Sequence, residues 1–247
     1  MILRVTLSRI VNLNLIILLL VCWFLPTSGN SQNLKSINLE EIPQRKVRRY
    51  IALREIDQMS DFALIHASWK KNIDVSDFKV NEKIFYLNYE LSSVWNSYRN
   101  ADPNHNWNRH SIRLGLLISK YTNAVVYTDN STFPEVDTGQ VYFLNLRLMK
   151  GLINVPVAFE IINIDQKQQL FEFSYIDNNK SQGKQTIQFF DNGDGTTKII
   201  HRSYFKSKSW FREDLLYPYF HKKFIKEFHR NMKQLVKTNQ LAFSLSK

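Results

Sequence analysis

Cysteine is nearly absent. The 247 residues hold one, Cys22, and it lies inside an N-terminal apolar run. The rest of the chain therefore has no disulfide framework, no Cys-ligated zinc or iron–sulfur site and no cysteine nucleophile. Seven glycines are too few for a collagen-like or glycine-rich architecture. A G-x-S-x-G elbow, a phosphate loop, a dinucleotide fingerprint and an H-E-x-x-H pair are missing too, as are paired carboxylates. Apolar and aromatic residues are plentiful at 44% and 13%, too many for a disordered chain. Composition leaves a core-forming domain with net charge +11 and names no reaction.

Residues 1–29 read as a secretory signal. Arg4 and Arg9 make the positive end, Leu13 to Leu25 is almost wholly apolar, and Thr27-Ser28-Gly29 supplies small residues for cleavage. Export to the periplasm or the exterior is the expectation. An uncleaved N-terminal anchor stays open, although the apolar stretch is short of ~20 residues. A lipid anchor on Cys22 is opposed by Val21, which stands where a small residue is needed.

Residues 30–77 are expected to form a helical extension. Gln44 to Asp57 places Val47, Tyr50, Ile51 and Arg54 at three- and four-residue spacing. Pro43 suits its first turn. Ser60 is expected to cap a second short helix carrying Phe62, Ile65 and Trp69. Beyond Phe78 the periods change. Val80–Leu87 reads as a strand and Leu91–Tyr98 as a short helix, broken at Ala101-Asp102-Pro103-Asn104. Strands are then expected at 112–119, 124–128, 140–149, 155–164, 170–176, 184–190 and 197–205. Tyr142, Leu144, Leu146 and Leu148 oppose Val141, Phe143, Asn145 and Arg147, the period of a half-buried strand. The connectors carry turn chemistry, so successive strands form an antiparallel meander. Asp191-Asn192-Gly193-Asp194-Gly195 fits such a turn better than a calcium loop, because no later bidentate Glu follows.

A long helix, about Asp214 to Lys237, closes the chain. Tyr217, His221, Phe224, Phe228, Met232 and Leu235 give it one apolar stripe. The fold class is therefore α+β, a curved antiparallel sheet gripping a C-terminal helix, with an N-terminal helical extension. This order resembles the START-like (SRPBCC) superfamily, the helix-grip fold of lipid-binding and polyketide-cyclase-like proteins. Ser92-Ser93-Val94-Trp95 with Trp107, and residues 155–236, carry the resemblance. It covers residues 78–238, with 239–247 left as a tail. An apparent extra strand at 112–119 departs from the usual count. The resemblance implies a cavity between sheet and helix that takes an apolar ligand, and it implies no single chemistry.

Residues of the closing strands and helix are the candidate lining: Phe159, Phe171, Phe173, Tyr175, Phe189, His201, Ser203, Tyr217, His221, Phe224 and Phe228. Strand alternation turns His201 and Ser203 inward, and the helical stripe does the same for Tyr217 and His221. These four either orient a ligand or satisfy one another in a core. For His221 the partner is expected to be a ligand's polar head rather than His201, Ser203 or Tyr217. The six histidines show no metal-ligand spacing, and neither a metal, a cofactor nor a catalytic residue is expected.

Charge is unevenly placed. Residues 198–247 hold twelve Lys/Arg against three acids, while residues 30–197 are balanced. Lys222, Lys226, Arg230 and Lys233 lie off the apolar stripe, as a solvated face or a contact for an anionic membrane surface. An exported protein rarely meets nucleic acid, so none is expected. The first reading is a carrier of an apolar or amphipathic small molecule. An enzyme of the same fold using a histidine as acid–base is the second. An envelope interaction module docking by its basic helix is the third.

Overall fold

A computed structural model describes residues 36–70, 72–130, 132–179, 181–207 and 217–245. The signal segment, residues 1–29, lies outside the described residues. The described residues belong to one compact unit.

Eight strands build one antiparallel sheet: β1 (Lys79–Leu87), β2 (Ile112–Ser119), β3 (Ala124–Val126), β4 (Gln140–Leu148), β5 (Ile153–Asp165), β6 (Leu170–Tyr175), β7 (Ser181–Asp191) and β8 (Thr197–Ser207). Their order is β1-β8-β7-β6-β5-β4-β2-β3. The meander β4 to β8 is thus flanked by β1 on one side and β2–β3 on the other. The register of 108–130 is fixed by β2, which pairs with β4 across a bulge between Leu114 and Leu116 and with β3 through Leu117–Val126. The Asp191–Gly195 segment is the β7–β8 turn, in which Asp191 accepts from the Gly193 N–H and Asp194 from the Thr196 N–H.

Four helices join the sheet: α1 (Arg45–Ala52), α2 (Leu91–Arg99), α3 (Pro103–Trp107) and α4 (Tyr217–Leu245). The break expected at Ala101–Asn104 does end α2, at Arg99, and a new helix starts within it at Pro103. Asp102 accepts from the Asn104 N–H, and Pro103 needs no partner in the first turn. Helix α4 runs past the expected tail boundary to Leu245, tied to α2 by Asn239 to Ser97 and Gln240 to Ser93. Ser60 is not a cap. The turn Met59–Leu64 is closed by Asp61, whose carboxylate accepts from the Asp57 and Gln58 N–H groups.

The sheet has two cores, one per face. The gripped face buries Leu114, Tyr142, Leu144, Phe159, Phe171, Phe189 and Ile199 against Trp95, Tyr98, Phe228, Met232 and Val236 of α2 and α4. The opposite face buries Leu116, Ile118, Val141, Phe143 and Ala158 under Ile37, Ile42, Val47, Ile51, Phe62 and Ile65. The half-buried pattern expected for 140–149 is therefore corrected. Val141 and Phe143 point away from the grip but are covered by the N-terminal segment. Helix α1 approaches closely because β2 carries Gly115, where a Cβ would come within 2.8 Å of Val47 Cγ1. Gln44 locks the approach by donating to the Leu114 carbonyl at 2.9 Å. Helix α1 is shorter than expected. It ends in a turn in which Glu55 takes a left-handed φ of 54°, and that turn leaves Arg54 beside the β6–β7 connector.

Candidate functional site

Aromatic rings fill the deep interior of the grip. Trp95 stacks on Phe171 at 4.6 Å, Trp107 on Phe228 at 4.3 Å and Tyr142 on Phe159 at 5.1 Å. Phe189 lies edge-on to Tyr98, and Phe173 packs against Phe159. Among these rings remains a void of about 40 Å³, lined in part by Phe159, Phe171, Phe173 and Phe228. That is room for about one water.

A larger space opens where α4 begins. It measures about 410 Å³ and has Leu146, Leu148, Val155, Pro156 and Val157 of the β4–β5 hairpin on one side, with Phe220 and Phe224 of α4. Tyr175, Asn178, Asn179 and Ser181 contribute from the β6–β7 hairpin, His221 from α4, Tyr50 from α1 and Arg54 from the turn after it. Mostly apolar walls with a few polar groups, at this size, are the usual form of a small-molecule site. Of the expected lining, Tyr175, His221 and Phe224 meet here. Phe159, Phe171, Phe173, Phe189 and Phe228 are in the packed interior. Tyr217 opens α4, and its side chain lies outside the described residues.

His201 and Ser203 stand behind the pocket in a buried polar chain. Tyr98 lies 2.8 Å from His229 Nδ1, His229 Nε2 lies 2.9 Å from His201 Nδ1, and His201 Nε2 lies 2.9 Å from Gln185 Oε1. His221 Nε2 reaches the same Gln185 oxygen at 2.9 Å and Ser203 Oγ at 3.2 Å. Directions follow from one fact, that an amide oxygen only accepts. His201 and His221 must each carry their proton on Nε2. His201 Nδ1 must then accept from His229 Nε2–H, and His229 Nδ1 from the Tyr98 hydroxyl. Gln185 passes the chain onward by donating to the Tyr175 hydroxyl at 3.4 Å. With all three imidazoles neutral every one of these bonds has a donor and an acceptor, and burial favours that state. His221 and His229 are pushed down to about 3 by desolvation. His201 falls well below 6.5, with desolvation first and its two histidine neighbours adding to it. Burial likewise holds the Tyr98 hydroxyl well above 10.

The expectation that a ligand head pairs with His221 is corrected in part, because its Nε2 finds protein partners. Gln185 was not foreseen. A glutamine on a strand gives no signal until the facing helix is known. His229 was legible, one position beyond Phe228 on the buried side of α4. Also unforeseen were Tyr50 and Arg54 as pocket wall. Tyr50 donates to Asn179 and is itself raised to about 12 by burial. The basic residues Lys222, Lys226, Arg230 and Lys233 are all exposed. Helix α4 has one acid, Glu227, which turns inward to accept from the Ser111 N–H at 2.8 Å. Among the described residues, no three His, Cys, Asp or Glu side chains converge to hold a metal ion.

The architecture is the START-like helix-grip fold, set by the antiparallel meander and the helix that crosses its face. No family model matches the chain, and no curated protein matches it. Solved structures of similar fold include a norcoclaurine synthase point mutant from Thalictrum flavum in complex with a transition-state analogue. It is 12% identical at a TM-score of 0.49, over 66% of this chain and 96% of that one. A START superfamily protein from Mycobacterium smegmatis is 7% identical at a TM-score of 0.45, over 64% of this chain and 97% of that one.

Proposed function

We propose that this chain is an exported binding protein that holds an apolar or amphipathic small molecule in the pocket at the start of α4. The observation that carries the reading is the 410 Å³ space itself, with Leu146, Leu148, Val157, Phe220 and Phe224 on its walls. Export rests on the Arg4/Arg9–apolar–Gly29 pattern alone. The exposed lysine face of α4 is proposed to meet an anionic membrane surface. Histidine acid–base catalysis is less well supported, because imidazoles near a pKa of 3 are weak bases at neutral pH.

Two measurements test this. Protein purified from its own host should release an apolar small molecule on denaturing extraction, seen as a mass difference between native and denaturing spectra. A Val157→Trp substitution, which fills the pocket, should abolish that occupancy while the protein still melts cooperatively. Unchanged occupancy in the filled variant would remove the pocket from the proposal. N-terminal sequencing of the envelope fraction should start between residues 28 and 33. A retained Met1 would remove cleavage.

A further inference from the structure

Among the described residues, Arg54 is the one charged residue on the wall of the 410 Å³ pocket. Its guanidinium lies 3.7 Å from the centre of the Tyr50 ring, a cation–π contact that fixes its direction. Its hydrogen bonds go to two backbone carbonyls, Tyr50 at 3.4 Å and Asn178 at 3.0 Å. Those use two of the five N–H donors a guanidinium offers. No ion pair among the described residues involves Arg54. Glu55, Asp61 and Asp177 border a smaller neighbouring hollow with it, beyond ion-pair distance. A half-buried cation with no ion-pair partner among the described residues favours an anion beside it.

Polar groups of the β6–β7 hairpin adjoin Arg54 and Tyr50. Arg54 bonds Asn178, Tyr50 bonds Asn179, and Ser181 follows on the same hairpin. The β4–β5 hairpin with Phe220 and Phe224 supplies the apolar wall. We propose that the pocket selects an anionic amphiphile, whose carboxylate, sulfonate or phosphate head pairs with Arg54 while its apolar body lies against Leu146, Val157 and Phe224. This rests on the pocket being the ligand site. It goes further in naming the ligand class and in giving recognition to the turn after α1, within the 30–77 segment that lies outside the helix-grip pattern.

Two dyes separate the two claims: anilinonaphthalene sulfonate and its uncharged parent, N-phenylnaphthylamine, titrated by fluorescence at 0.15 M salt. The sulfonate is expected to bind more tightly than the parent. Arg54→Gln should weaken the sulfonate about tenfold or more, the worth of a hydrogen-bonded charge, and leave the parent unchanged. The Arg54→Lys protein, which keeps the charge, should still prefer the sulfonate. Thermal melts of both variants establish that they are folded. If the sulfonate binds Arg54→Gln as tightly as the unmodified protein while the parent still enters, anion selection by Arg54 is overturned and the pocket reading survives. If neither dye binds the folded protein, or both bind the Val157→Trp variant unchanged, the pocket reading fails and this inference with it.

Discussion

His201 on β8 and His229 on α4 meet inside the grip at 2.9 Å, Nδ1 to Nε2, with both rings buried. One bond thus joins the sheet to the helix that covers it. Because His229 donates and His201 accepts, protonating His201 on Nδ1 sets two N–H groups face to face until His229 moves its proton to Nδ1.

The first prediction is acid lability. Above pH 6.5 these three histidines are neutral in both the folded and the unfolded chain and contribute no pH dependence. As the pH falls below 6.5 the unfolded chain takes up protons that the folded one refuses, down to about pH 3 at His221 and His229 and well below 6.5 at His201. Stability must therefore fall across that window. One pKa unit corresponds to about 1.4 kcal/mol per group, so the loss between pH 7 and pH 5 is expected to be several kcal/mol. Urea midpoints at pH 7, 6 and 5 measure it. Equal midpoints would mean the rings are protonated in the fold and the chain is wired differently.

The second prediction compares two substitutions in that chain. Gln185→Leu removes the acceptor of both His201 Nε2–H and His221 Nε2–H. Each buried unpaired donor costs about 1–3 kcal/mol. His221→Leu leaves Gln185 Oε1 paired with His201 and takes one partner from the Ser203 hydroxyl, so it should cost about 1–3 kcal/mol where Gln185→Leu strands two donors. Chemical denaturation should rank Gln185→Leu well below His221→Leu. The reverse order would show that His221, not Gln185, is the junction.

The third prediction concerns the second core. At Gly115 an added side chain meets Val47, the Gln44 amide and the Phe143 carbonyl. Gly115→Leu should push α1 off the sheet. Phe62→Ala empties a fully buried site in the same layer and should cost about 3–5 kcal/mol. A chain starting at residue 78 uncovers Leu116, Ile118, Val141 and Phe143 together. It is expected to aggregate or to expose apolar surface to a hydrophobic dye. A soluble, cooperatively melting 78–247 chain would show that α1 merely decorates the sheet.

Those residues also mark what was readable in the chain. Strand and helix periods exposed the meander and α4, because the core-facing residues recur every two or every three to four positions. The run Ile112 to Ser119, apolar at nearly every position, carries the pattern of a strand covered on both faces. Val141 and Phe143 repeat it beside Tyr142 and Leu144. Which segment covers the second face is a tertiary fact, and 37–65 reads in isolation as a loosely helical extension. Arg54 shows the same limit. Its spacing from Val47, Tyr50 and Ile51 placed it on the docking side of α1, but its role depends on the hairpin it meets, which lies more than a hundred residues away in sequence.

The last prediction tests the outer surface of α4. Lys222, Lys223, Lys226, Arg230, Lys233 and Lys237 are exposed, and the helix presents no outward acid. Beside the pocket, the β4–β5 connector leaves Leu152 83% and Met149 58% exposed, next to Lys150. Cations around an apolar tip fit a bilayer bearing anionic headgroups, where each near-surface Lys or Arg is worth about 1 kcal/mol. Retention on vesicles containing phosphatidylglycerol should be strong at low salt and fall steeply by 0.15 M, where screening cuts the reach of each charge to ~8 Å. Lys222→Glu with Lys226→Glu should lower it by more than tenfold, and Leu152→Asp should lower it further without changing the salt slope. Neutral phosphatidylcholine vesicles should retain little protein. Equal retention on both vesicle types, or no effect of the charge reversals, would leave the lysines as a solvated face.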